Sequence, residues 1–83
     1  MAGALVYSVD FDSVDNNLEL RASILFFGVG LKDRSLVSVA VLPSDTPAQI
    51  KMKLVNAIIA EATTLGYSVV AADIVLPAYQ RGN

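Results

Sequence analysis

The sequence predicts an α+β fold of order β-β-β-α-β: a four-stranded mixed sheet with one long helix packed on one face. Three observations carry that reading. Apolar and polar residues alternate with period two over residues 4–12 and 18–27. Residues 46–66 carry both the start and the stop signals of a helix. Prolines close the two remaining β-branched runs, at Pro43 and Pro77.

In the first strand, residues 4–12, Leu5, Tyr7, Val9 and Phe11 are predicted to face a core, with Ser8, Asp10 and Asp12 toward water. The turn formers of residues 13–17, SVDNN, then reverse the chain. In the second strand, residues 18–27, Leu20, Ala22, Ile24 and Phe26 point inward. Glu19, Arg21 and Ser23 point out, but Leu25 and Phe27 share that outer face. A strand that starts half-wet and ends apolar on both sides is expected to be covered from both directions at its far end. Gly28, Val29 and Gly30, with Lys32, Asp33 and Arg34, make the next turn. In the third strand, residues 35–42, Val37, Val39 and Val41 line one face and Leu36, Ser38, Ala40 and Leu42 the other.

The helix start is the sharpest local signal. Thr46 is suited to the N-cap, Pro47 to N1, and Gln49 to N3 of a capping box. Asp45 places a carboxylate near the positive end of the helix dipole. Gly66 suits the left-handed position that ends a helix. The last strand is expected over residues 68–76, beside either the third strand or the first; the sequence leaves that choice open. Residues 78–83 are expected as a flexible tail of a single domain, 1–83.

Composition narrows the function. Of the 83 residues, 54% are hydrophobic and 17% charged, against a usual ~45–50% and ~25%. A domain this small buries only ~60% of its unfolded surface, so the shortage of charge marks surface reserved for another chain. A net charge of -2 argues against direct sequence-specific nucleic-acid binding, which needs clustered Lys and Arg. The absence of His and Cys removes the usual general base, thiolate metal sites and disulfides. With no basic leader and no apolar run near the ~20 residues of a membrane span, no membrane partner is expected, and the product reads as cytoplasmic.

Two stripes share the helix. Ile50, Leu54, Ile58 and Leu65 form one; Met52, Val55 and Ile59 form another, displaced by roughly 130°. A surface helix usually shows one apolar stripe. The first is expected to hold the fold. The second, with Leu25, Phe27 and the tail residue Tyr79, is the predicted protein interface.

Catalytic and metal sites fare worse. Asp10, Asp12 and Asp15, with Asn16 and Asn17, offer oxygens for a hard cation such as calcium. Val14 sits where a ligand belongs, however, and the calcium loop's Gly and Glu are missing, so a solvated strand end is the stronger reading. Gly28, Val29 and Gly30 lack the third glycine and helix start of a phosphate loop, which favours a hairpin turn. Glu61 is expected as a partly covered acid paired with a base such as Arg21. No nucleophile has a His or Ser-x-x-Lys partner, so no enzyme activity, cofactor or metal is expected.

Residues 43–67, PSDTPAQIKMKLVNAIIAEATTLGY, followed by a strand, resemble small virion-associated structural proteins of tailed phages. These share a D-T-P-A-Q-I helix start and an A-T-x-L-G-Y-like finish. The resemblance implies a repeated structural subunit and transfers no site residues. The expected function is a non-enzymatic structural or assembly protein, in many copies, in the capsid, neck or tail of a bacteriophage particle. Its partners would be itself or a larger capsid or tail protein, and its location the virion. The alternative is a cytosolic homo-oligomeric module binding a small ligand.

Overall fold

The structure, a computed structural model, describes residues 2–14, 17–28 and 31–76. Three long antiparallel strands, β1 (Gly3–Val14), β2 (Asn17–Gly28) and β3 (Leu31–Val41), form a meander. Helix α1 (Pro47–Leu65), a 3₁₀ turn at Ala71–Asp73 and a short β4 (Ile74–Val75) follow. The sheet order is β3-β2-β1-β4, with β4 parallel to β1. The open choice for the last strand is therefore resolved in favour of the first.

Helix α1 begins and ends as its residues dictate. The Thr46 hydroxyl accepts the Gln49 amide at 3.2 Å, while the Gln49 side chain accepts the Thr46 amide at 2.8 Å. Gly66 takes φ 89°, and its amide and that of Tyr67 return to Thr63 and Ala62 carbonyls. That pair of bonds is the Schellman arrangement, and it satisfies carbonyls the helix end would otherwise orphan. Leu54, Ile58 and Ala62, four apart, form the buried stripe.

These side chains pack on Leu20, Ala22, Ile24 and Phe26 of β2, Val37 and Val41 of β3, and Ala4 and Val6 of β1. Ile24, Phe26, Ile58 and Val6 are the largest fully buried side chains, each contributing about 1.5–3 kcal/mol by burial. Past the helix, Tyr67 and Val69 turn back into this core. The Tyr67 ring stacks on Phe26 at 5.7 Å, and its hydroxyl donates to the Asp33 carboxylate of β3.

Four expectations are corrected. Lys32, Asp33 and Arg34, expected in a turn, belong to β3, where pairing with Phe27, Phe26 and Leu25 of β2 satisfies their backbone. Leu5 and Tyr7 do not face the core; Ala4 and Val6 do. The register between β1 and β2 slips at Tyr7, where Val6 opposes Ile24 but Ser8 opposes Ser23. This β-bulge inserts one residue and exchanges the faces, so Val9 and Phe11 lie on the helix side, opposite Ala22 and Leu20. Val9 packs on the core, whereas Phe11, expected there too, is 51% exposed. Leu65, expected in the core stripe, is 41% exposed; the reversal at Gly66 fills the core with Tyr67 and Val69 instead. The last strand is two residues long rather than nine. Asp73 and Val70 exchange local hydrogen bonds, Asp73 amide to Val70 carbonyl at 2.9 Å and Val70 amide to Asp73 carboxylate at 3.4 Å. Those bonds wind residues 71–73 into a turn and take them out of the ladder.

Candidate functional site

The alternation of β2 gives the sheet two unequal faces. Even-numbered positions from Leu20 to Phe26 are buried under α1, and odd-numbered positions from Glu19 to Leu25 are half-buried on the other side. None of the core residues from α1 or residues 67–69 belongs to that second face. Cross-strand register then decides its make-up. Leu25 stands beside Arg34 of β3 and Leu5 of β1, and Leu5 beside Val75 of β4. Leu36 lies opposite Ser23, and Arg21 between Ser38 and Asp10. Glu19 lies between Ala40 and Asp12.

This open face is divided along the strands. One half is polar: Arg21 bridges Asp12 at 3.2 Å and Glu19 at 3.0 Å. The other half is apolar. Leu36 is 64% exposed, Val75 52%, Tyr7 50%, Phe27 39% and Leu5 36%. The Phe27 ring lies over Gly3 and fills the space a Cβ would need, 2.7 Å from where that carbon would sit. Glycine at this position therefore lets an aromatic ring lie flat on the sheet. The Arg34 guanidinium sits 5.9 Å from the Tyr7 ring centre, a cation–π contact spanning β2.

The second uncovered surface is the flank of α1. Lys53 reaches the Ala40 carbonyl at 3.1 Å and the Asp45 carboxylate at 2.6 Å, so its flank overhangs the free edge of β3. This cation blunts the end of an edge strand. Asp45 also accepts the Leu42 amide at 2.9 Å. The Lys53 bond first, then the Leu42 amide, hold its carboxyl below the usual carboxylate value. Val55 lies about 200° around the helix from Lys53, turned away from that edge. Met52 is 65% exposed, while Val55 and Ile59 are half-buried.

The predicted interface residues thus fall on two separate surfaces. Leu25 and Phe27 share the open sheet face, Met52, Val55 and Ile59 share the helix flank, and Tyr79 lies outside the described residues. Leu5, Tyr7, Leu36 and Val75 join Leu25 and Phe27 unanticipated. Leu36 had a signal, since it alternates with the inward Val37. Leu5 and Tyr7 had none, because the bulge that turns them is a property of two strands together.

The candidate polar chemistry is dispersed. Asp12 accepts the Ser13 amide at 2.8 Å and pairs with Arg21, and Asp15 and Asn16 lie outside the described residues. Among the described residues no three acidic side chains are placed to share a metal ion. Glu61 accepts the Ser35 hydroxyl at 2.8 Å rather than pairing with Arg21, which lies on the opposite sheet face. The Gly28 end of β2 is described, while Val29 and Gly30 lie outside the described residues. Among the described residues no helix is long and apolar enough to cross a membrane. Compared with known families, curated proteins and solved structures, the chain matches none.

Proposed function

We propose that this protein is a non-enzymatic structural or assembly subunit that works through protein–protein contacts in many copies. The observation that carries the reading is the apolar half of the open sheet face. An antiparallel sheet with one wet face ordinarily places polar residues there; this one exposes two aromatic and several aliphatic side chains together. Together they expose roughly 500 Å², at about 200 Å² for a whole large side chain. That area lies at the upper end of the largest patches of monomers, about 300–600 Å².

The magnitude favours assembly. Covering that patch on each of two partners releases a gross ~25 kcal/mol at about 25 cal/mol per Å², against roughly 4–15 kcal/mol for lost freedom of the partners. The helix flank is weaker, since Met52 alone is largely exposed there and one such side chain contributes about 1.5–3 kcal/mol.

The resemblance of residues 43–67 to small tailed-phage structural proteins supports reading the proposed assembly as part of a bacteriophage particle, as a capsid, neck or tail accessory component. Partners are then further copies of the chain or a larger particle protein. Quantitative mass spectrometry of purified particles tests this. Several copies per particle are expected. A chain made in infected cells yet missing from purified particles overturns the virion reading.

A further inference from the structure

We propose that two copies of this chain meet through the apolar half of the open sheet face, joined across a two-fold axis. The inference rests on the assembly reading above and adds the surface and the partner. Leu5, Tyr7, Leu25, Phe27, Leu36 and Val75 form the contact.

Area argues first. The exposed part of this patch, roughly 500 Å², is more than half of the ~800 Å² that each partner contributes to a standard stable interface. The half-buried Leu25 and the rim of Ser23, Ser8 and Arg34 lie in the same rows of the sheet and extend it. Composition argues with it: aromatic residues and Arg are enriched in interface cores, and here Tyr7, Phe27 and Arg34 are grouped.

Shape and charge select a second copy as the occupant. Sheets stack face to face about 10 Å apart with interdigitated side chains, so an apolar sheet face accepts another of its own kind and twist. A two-fold contact needs only one self-complementary patch. The adjoining polar half holds three acids, Asp10, Asp12 and Glu19, against one base, Arg21. Overlaying whole faces about an axis along the strands would press two acidic ends together, and about an axis across them would bury each acidic end under apolar side chains. A contact confined to the apolar half leaves each acidic end in water.

The test is sedimentation of the whole chain with Leu36→Glu/Val75→Glu and, separately, Met52→Glu. All three positions are more than half exposed, and circular dichroism checks that each variant is folded. The wild-type chain is expected to sediment as a dimer. The sheet-face double variant should dissociate ~100-fold more readily, and Met52→Glu should leave the dimer unchanged. Dilution of the wild-type protein gives a second readout independent of substitution: methyl resonances of Leu5, Leu36 and Val75 should shift while those of Val55 and Ile59 do not.

Assembly that survives the double variant, or that Met52→Glu disrupts, overturns the sheet-face contact and leaves the assembly reading standing. A wild-type chain that stays monomeric, with unshifted methyls, at all accessible concentrations overturns this contact. If that monomer is nevertheless built into particles, the function proposed above survives through a different partner. A monomer in which removal of residues 77–83 newly exposes the patch identifies the tail as its occupant and also overturns the contact.

Discussion

Single residues on this small scaffold act at junctions, and Tyr67 does most. It lies just past the helix end, fills the core, stacks on Phe26 and donates its hydroxyl to Asp33. It therefore ties the reversal after α1 to both β2 and β3. The bond to Asp33, burial and then the carboxylate charge raise the phenol above its usual pKa near 10. A raised folded-state pKa means the folded protein holds the proton more tightly than the unfolded chain. The resulting stabilisation is complete below the unfolded tyrosine pKa and is lost as pH rises through the higher folded value. Stability of the wild-type chain should therefore fall more steeply above about pH 10 than that of Tyr67→Phe. At neutral pH the substitution should cost only about 0.5–1.5 kcal/mol, one hydrogen bond with the ring retained. Denaturant midpoints measured across that alkaline range for both proteins decide it; parallel curves would show that the Asp33 bond contributes nothing.

At the scale of elements, the helix is specified locally and the sheet is not. Thr46, Gln49 and Gly66 act on amides and carbonyls within a few residues, so the helix bounds were legible from composition and spacing alone. The inward and outward faces of β2 and β3 were legible too, since their register does not slip, but the start of β3 was not: charged Lys32, Asp33 and Arg34 look like a turn and are held in the ladder by β2. In β1 the alternation of Leu5, Tyr7, Val9 and Phe11 is continuous, yet its faces exchange at Tyr7. A bulge depends on how two strands twist against each other, and no single strand encodes it. The pairing of Ile74 and Val75 with β1 rather than β3 is a choice of the same nonlocal kind. For the candidate surface, Leu25 and Phe27 were legible as outward residues; that Leu5, Tyr7 and Val75 stand beside them emerged only with register. Within α1, Ile58→Ala should destabilise by about 2–5 kcal/mol, because a fully buried side chain leaves a cavity. Thr46→Ala should cost about 1 kcal/mol through the lost cap. Urea midpoints in the order wild type, Thr46→Ala, Ile58→Ala are expected, and a reversed order would mean that capping outweighs packing in this domain.

For the whole molecule, the proposed dimer couples stability to assembly. Among the described residues one α-helix covers one sheet face, and half of the other face is apolar. Each copy alone is a two-layer unit whose outer layer is incomplete. Anything that binds the folded state and not the unfolded one stabilises it by mass action, so the melting temperature of a self-assembling chain rises with its own concentration. When dissociation and unfolding coincide, a tenfold increase in concentration should raise the midpoint of this 83-residue chain by roughly 4 °C, given ~2.1 cal/mol/K of unfolding entropy per residue in each of two chains. Leu36→Glu removes apolar contact from the open face without touching the core, since that side chain is 64% exposed. Its midpoint should be lower than wild type at high protein concentration and approach it on dilution. Calorimetric scans over two decades of concentration separate the cases. Parallel wild-type and Leu36→Glu dependences would place the stabilising contact elsewhere on the molecule. A wild-type midpoint independent of concentration would show that the sheet and single helix are sufficient by themselves.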